Sequence, residues 1–223
     1  MTAQARWYLD TLPLSDAVVC DVGANVGELS AFFLRAGARR VLSVEPLAEN
    51  LAVLDARIAA EGLGDRWTVA RCAASDHRGV AHLTLGGDEE TAHNSRVVTA
   101  SGALTRAVPC DTLPSLCPDA TVVKLDIEGH EYPVLDHALA QMTAVRAWAI
   151  ELHLTPGRPL QGVIQQLVAQ GFRVFGAGRR ASDPQGPWVT AEVPPTLAWE
   201  NLPVAARRAD GSVFKMLHVV ARR

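Results

Sequence analysis

The feature that most restricts this chain is a regular succession of short apolar runs and longer segments with helical periodicity. Ala17-Val18-Val19-Cys20 is followed by Leu29, Phe32, Phe33 and Ala36 at i, i+3, i+4 and i+7. Val41-Leu42-Ser43-Val44 is followed by Leu47, Leu51, Leu54 and Ile58, again on one helical face. Trp67 to Ala70, Thr121 to Leu125 and Ala147 to Ile150 supply three further runs, with a helical period through Val134, Leu135, Ala138 and Met142 before the last. Strands that alternate with helices pair in parallel through right-handed crossovers. The sequence therefore predicts an α/β fold with a doubly wound, Rossmann-like sheet.

Two stretches break the alternation. Val80 to Val108 mixes Gly86-Gly87, acidic residues and short β-like pieces, and reads as an insertion carrying a strand or two. The last third predicts a helix over Leu160 to Val168, a strand near Phe172 to Phe175 and a closing strand at Val213 to Val220. Between those strands, Gly178 to Gly211 reads as a long loop. Its five prolines (Pro184, Pro187, Pro194, Pro195 and Pro203) and two tryptophans (Trp188 and Trp199) suit either a stiffened lid over an acceptor or a loop pinned to the core. At 223 residues the expectation is a single domain spanning 1–223, with both elaborations inside it.

Charge narrows the range of partners. With 21 Lys+Arg against 24 Asp+Glu the net charge is -3, which argues against a general nucleic-acid binder. The doublets Arg179-Arg180, Arg207-Arg208 and Arg222-Arg223 read as solvated faces or as contacts for an anionic acceptor. No apolar run reaches the roughly 18 residues of a membrane span, and Met1 to Asp10 has no stretch of signal-peptide length, so a cytoplasmic location is expected. Cys20, Cys72, Cys110 and Cys117 have no metal-ribbon spacing and read as buried thiols. His77, His82, His93, His130, His137 and His218 likewise have no ligand-like spacing.

The strongest local signal is Asp21-Val22-Gly23-Ala24-Asn25-Val26-Gly27, at the end of the first strand and the start of the first helix. Gly23 can adopt a backbone angle closed to other residues, and Gly27 would let the helix approach ligand and sheet closely. The spacing is neither the dinucleotide G-x-G-x-x-G nor a P-loop, so a pyrophosphate is not the favoured ligand. Asp21 would repel an anion there and attract a cation. Glu45 ends the second strand at the spacing of an acid that accepts hydrogen bonds from ribose hydroxyls, or else favours a helix opened by Pro46. Two carboxylates without a phosphate cradle point to an adenosine ligand with an amino-acid tail, which S-adenosylmethionine satisfies. A second constellation, Lys124-Leu125-Asp126-Ile127-Glu128-Gly129-His130-Glu131, lies at the end of the fourth strand, and Glu151-Leu152-His153 ends the fifth. Asp126, Glu151 and His153 could meet there, while Lys124 could pair with a rim carboxylate. Glu128, Gly129 and Glu131 could simply start the next helix.

Taken in order, these motifs, with Asn94-Ser95 and Asp111-Thr112-Leu113, resemble the FkbM-like family of S-adenosylmethionine-dependent methyltransferases over about Val18 to Leu154. The resemblance implies a class I methyltransferase with a seven-stranded sheet whose last strand is antiparallel. Such enzymes most often methylate a hydroxyl of a natural product, sugar or glycolipid. It also implies that Asp21, Gly23, Ala24, Asn25, Gly27, Glu45, Pro46 and Asp126 hold the cofactor, with Ala73, Ala74 and Ser75 near the adenine. Methylating an alcohol requires removal of a proton. His153 is the expected base, oriented by Glu151 or Asp126, with Lys124 close by. A divalent metal on Asp126, Glu151 and His153 is the alternative. A catalytically silent nucleotide-binding scaffold on the same fold, or an NAD-dependent oxidoreductase, remains as the competing class.

Overall fold

The computed structural model describes residues 3–84, 96–98, 105–153, 160–180, 183–193 and 216–223. Strand β1 (Val18–Val22) is buried along its whole length, because its valines face one helical layer or the other and no polar side chain except Asp21 interrupts them. It pairs in parallel with β2 (Arg40–Val44) on one side and with β8 (Val122–Leu125) on the other. Strand β3 (Trp67–Ala70) extends the sheet beyond β2, and β9 (Ala147–His153) extends it beyond β8, both in parallel. Strands β12 (Met216–Arg222), β10 (Arg173–Arg180) and β11 (Asp183–Glu192) then add antiparallel pairs. The full order is β11-β10-β12-β9-β8-β1-β2-β3.

Seven of these strands form the expected sheet, with β12 antiparallel to both of its neighbours. The eighth, β11, is a correction: it lies inside the stretch Gly178 to Gly211 that the sequence predicts as a loop. Pro184, Gly186 and Pro187 make this segment read as loop, yet β11 lies at the sheet edge, where a missing amide donor costs little. The remainder of the expected lid, 194–211, lies outside the described residues, as do Asn94 and Ser95.

Alternation along the strands divides the core into two layers. Cys20, Val22, Val123, Leu125, Trp148, Ile150 and Leu152 point toward α5 (Glu131–Ala138) and α6 (Leu160–Ala169), each burying on the order of 1.5–3 kcal/mol of transfer energy. Val19, Val122, Ala147, Ala149 and Val220 point to the opposite layer, formed by α1 (Ala3–Thr11), α2 (Glu28–Arg35) and α3 (Ala48–Glu61). On that second face the apolar residues give way, toward the carboxyl ends of the strands, to Asp21, Lys124, Glu151, His153 and His218.

The expected insertion is larger and more regular than the sequence suggested. Strands β4 (Ala73–Ser75), β5 (Gly79–Thr84), β6 (Arg96–Val98) and β7 (Thr105–Thr112) form a second sheet in the order β4-β7-β5-β6. β7 leads into the short helix α4 (Leu113–Leu116). Ala81, Leu83, Val108 and Cys110 from this sheet cluster with Ala73 and with Leu47, the residue that precedes α3. The second sheet is thereby packed beside the carboxyl ends of β1 and β2. Its polar and small residues, such as Thr105, Arg106 and Ala107, give a weak period, which is why the sequence shows only part of it.

One backbone position controls the junction of β1 with β8. Gly23 has φ 73°, and a Cβ there would lie 1.8 Å from the Asp126 carbonyl oxygen. The same residue's amide donates to the Val44 carbonyl at 3.0 Å, so the turn cannot swing away to make room. Gly23→Ala is expected to cost more than about 2 kcal/mol, combining left-handed strain with a backbone clash. Chemical denaturation of the variant beside the wild type checks this.

Candidate cofactor and active site

The carboxyl ends of β1, β2 and β8 open onto a cavity of about 360 Å³. Such openings at the strand ends are where doubly wound sheets take ligands. The turn after β1 contributes Gly23, Ala24, Asn25 and Val26, and the start of α2 adds Glu28 and Leu29. Val44, Glu45 and Pro46 come from the end of β2, with Leu47 and Asn50 from the entry to α3. Cys72, Ala73 and Ala74 form another wall, faced by Leu83 and Val97 of the second sheet. Asp21, Lys124, Asp126, Ile127 and Glu128 complete the lining.

Asp21 and Lys124 form the buried floor. The Lys124 ammonium lies 3.6 Å from Asp21 Oδ1 and 3.5 Å from Asp126 Oδ2. It also donates to the carbonyl oxygens of Gly23 at 3.0 Å and Val22 at 3.4 Å. Burial works against the charge on Lys124, but Asp126 and Asp21 outweigh it and hold its pKa above that of an ordinary lysine. Burial likewise pushes the Asp21 carboxyl up, opposed by Lys124 and by the Ser30 hydroxyl. Ser30 donates to Asp21 Oδ2 at 2.5 Å and shares a 2.6 Å hydrogen bond with Ser43, which in turn accepts from the Trp67 indole at 2.8 Å. Thus Asp21 is tied to α2, β2 and β3 before any ligand arrives.

Glu45 organises the adjoining wall. Its Oε2 accepts from the Asn25 amide at 2.9 Å, while Oε1 accepts from the Leu47 amide at 2.9 Å and from Asn50 Nδ2 at 3.1 Å. Burial pushes its carboxyl up and these donors pull it down. Asn25 itself has φ 51°, and the bond to Glu45 helps hold that left-handed turn against the cavity.

Several predicted residues lie elsewhere. Gly27 does not line the cavity; a Cβ there would come within 2.8 Å of the Trp67 ring and 3.2 Å of Leu54, so this glycine serves packing between α2, α3 and β3. Ser75 is buried, with its hydroxyl 3.1 Å from Asp76 Oδ1 and 3.3 Å from both His77 Nδ1 and His130 Nε2. These contacts tie β4 to the residue that precedes α5, and Ser75 does not line the cavity.

Glu151 and His153 share a face of β9 but go separate ways. Glu151 Oε2 is 3.5 Å from His218 Nδ1 on β12, its register partner. Burial and the charge of Asp126 raise the Glu151 carboxyl to about 7, against His153 and Lys124. Burial also lowers the His218 imidazole to about 4, leaving it neutral. His153 instead has its Nδ1 at 3.0 Å from Glu131 Oε1 and its Nε2 at 3.3 Å from Glu128 Oε2. Burial opposes its charge, but hydrogen bonds and charge from Glu128 and Glu131 push it up to about 10.

The expectation that Glu151 or Asp126 orients His153 as a base is therefore corrected. At neutral pH His153 is an imidazolium with both nitrogens engaged, and Glu131 and Glu128 orient it. The expected metal set of Asp126, Glu151 and His153 does not assemble either, because Glu151 turns to His218. Asp126, Glu128 and His153 do come within 4.8 Å of one another. Their carboxylates are already matched by two cations of the chain, Lys124 and protonated His153, which leaves little net attraction for a divalent ion.

Asn50, Leu47, Leu83, Val97, Glu128 and Glu131 escaped the sequence reading as parts of this site. Only Glu128 and Glu131 carried a signal, as members of the charged run after β8. Leu83 and Val97 are brought in by the second sheet and have no local signature.

A model of the FkbM methyltransferase domain matches residues 21–174, most of the chain. The chain belongs to the FkbM methyltransferase family. Among solved structures, an FkbM methyltransferase from Methylobacillus flagellatus KT aligns at 19% identity and TM-score 0.44, covering 66% of this chain and 39% of that one. A Streptococcus pneumoniae protein described as a candidate tRNA (m1A22) methyltransferase, solved with S-adenosyl-L-methionine, aligns at 13% identity and TM-score 0.50 over 100% of this chain and 73% of that one. A protein of the NADB-Rossmann superfamily from Streptococcus agalactiae reaches TM-score 0.52 at 11% identity, covering 100% of this chain and 68% of that one. These two likenesses show that this chain shares their Rossmann-like fold. No curated protein matches the sequence. Among the described residues, no helix is long and apolar enough to cross a membrane.

The pairing of His153 with Glu128 and Glu131 makes stability depend on pH in a defined direction. His153 titrates near 10 when folded and near 6.5 in its ordinary state, so its contribution is complete below about pH 6.5 and is lost as pH rises through 10. Thermal melting between pH 7 and 10.5 should show a falling transition temperature, and His153→Gln should flatten the fall. Lys124→Met should be severe, by about 3–5 kcal/mol, because it leaves Asp21 buried without its cation. Denaturant unfolding of that variant measures the loss.

Proposed function

We propose that this FkbM-family chain transfers a methyl group from S-adenosylmethionine to a hydroxyl of a small molecule, such as a natural product, sugar or glycolipid. The observation that carries the reading is the cavity's charge. Among the described residues, Asp21, Glu28, Glu45 and Asp126 line it against one ammonium, that of Lys124. A pyrophosphate would be repelled by such a lining, whereas a ligand with a cationic sulfur and an amino group is attracted. The apolar part of the wall, Ala73, Ala74, Leu83 and Val97, suits a flat heteroaromatic ring. The donor set therefore fits S-adenosylmethionine better than NAD. When bound, this cofactor supplies an electrophilic methyl on a positively charged sulfur.

The remaining work falls to the chain. Asp21 and Asp126, held by Lys124, would receive the cationic amino-acid end, and Glu45 keeps a lone pair for a ribose hydroxyl beyond its three existing donors. Aligning acceptor oxygen and methyl carbon is the main catalytic contribution such a site can make. The acidic rim and the net charge of -3 favour a neutral or cationic acceptor over a polyanion such as RNA.

Isothermal calorimetry with S-adenosylmethionine and S-adenosylhomocysteine is the direct test. Both should bind the purified chain, and Glu45→Ala should weaken binding by about tenfold or more while the variant still melts cooperatively. Excess chelator should leave binding unchanged. A folded chain that gives no heat with either compound overturns the cofactor assignment. Radiolabelled cofactor offered with a panel of sugars, phenols and glycolipids then tests the acceptor class.

A further inference from the structure

Resting on the methyl-transfer reading above, we propose that Glu128 is the group that takes the acceptor's hydroxyl proton, delivered to the cavity by a buried relay from Glu131 through His153. Glu131 is fully buried in the first turn of α5. Its Oε1 accepts three hydrogen bonds, from the Ile127 amide at 3.1 Å, the Gly129 amide at 3.0 Å and His153 Nδ1 at 3.0 Å. A single oxygen thus ties the loop after β8 to the end of β9.

The loop it holds is strained at the residue in question. Glu128 has φ 57°, in the left-handed region that a non-glycine side chain rarely adopts, and Gly129 follows at φ 108°. Strain of this kind costs on the order of 1–3 kcal/mol and persists only where the surroundings impose it. Glu131 imposes it through the two amides on either side of Glu128. The consequence is that Glu128, with a side chain 28% exposed, lines the cavity and presents Oε2 to His153 Nε2 at 3.3 Å. That contact engages Oε2, and of the two partners Glu128 is the one that lines the cavity. His153 does not itself line the cavity, and Glu151 faces His218. Of the remaining lining carboxylates near β8, Asp126 is taken up with Lys124.

The chemistry balances without a further reactant. The acceptor oxygen forms a bond to the methyl carbon while the carbon–sulfur bond breaks and leaves its electron pair on sulfur. The hydroxyl O–H bond breaks in the same step and its proton passes to Glu128, so the product ether is neutral. Nothing is oxidised or reduced. His153 and Glu131 are positioning residues here: they touch Glu128 and the loop.

The test combines binding, spectroscopy and turnover on Glu128→Gln in the full chain. Thermal melting should stay cooperative, since glutamine keeps the side-chain length. S-Adenosylhomocysteine should bind within about threefold of wild type, because Glu128 serves the acceptor side. The His153 imidazole, followed by NMR, should titrate about one pH unit or more lower, having lost one of its two carboxylates. Asp126 at the end of β8 and Glu131, Glu151 and His218 on α5, β9 and β12 are its other titratable neighbours and are unchanged in the variant. Methyl transfer to whichever panel hydroxyl the wild type labels should fall by about 10²-fold or more.

An unchanged His153 titration overturns the relay. An affinity loss as large as that of Glu45→Ala assigns Glu128 to the cofactor and overturns the proposal, as does wild-type turnover. If the wild type labels no hydroxyl in the panel, the titration and affinity results decide alone. Failure of the cofactor reading shows separately, as wild-type chain that does not bind S-adenosylhomocysteine.

Discussion

The buried ammonium of Lys124 is the interaction on which the site depends. It reaches Asp21 on β1 and Asp126 at the end of β8, and it donates to two carbonyls of the turn between β1 and α2. A charge in this position would be prohibitively costly alone. With two carboxylates and two carbonyls it is compensated, and the ends of the central strands are locked in relative position. The close contact between Gly23 and the Asp126 carbonyl shows how tightly that lock closes. Any ligand in the cavity therefore meets carboxylates that are already oriented, and little ordering remains to oppose binding.

Charge is handled twice in the same manner at this end of the sheet. Lys124 matches Asp21 and Asp126, and protonated His153 matches Glu131 and Glu128. Each cation sits between one fully buried acid, Asp21 or Glu131, and one partly exposed acid of the cavity wall, Asp126 or Glu128. The buried acid fixes the cation, and the cation fixes the exposed acid. This arrangement lets the chain carry several carboxylates at one rim without mutual repulsion driving them apart. It also separates in chemical state two histidines on neighbouring strands, two register positions apart: His153 charged beside two acids, and His218 held neutral by burial. The two elaborations of the fold play different parts. The second sheet, through Leu83 and Val97, closes the apolar side of the cavity, whereas β11 extends the far edge of the main sheet, six strands away from β2.

The order of strands and helices, the glycine turn after β1, Glu45 and the charged run after β8 were all legible in the sequence, because each rests on short-range requirements. Alternation of apolar residues sets the strands, a left-handed angle demands Gly23, and strand ends are where polar residues must collect in a sheet buried on both faces. Together these features were enough to place the chain in its methyltransferase family. What only the tertiary structure decided is which charges meet. Glu151 and His153 are two residues apart on one strand, yet register with β12 gives the first to His218 and the turn of α5 gives the second to Glu131. That choice depends on strand order and helix placement, which involve residues more than twenty positions distant, and no local pattern in the chain encodes them.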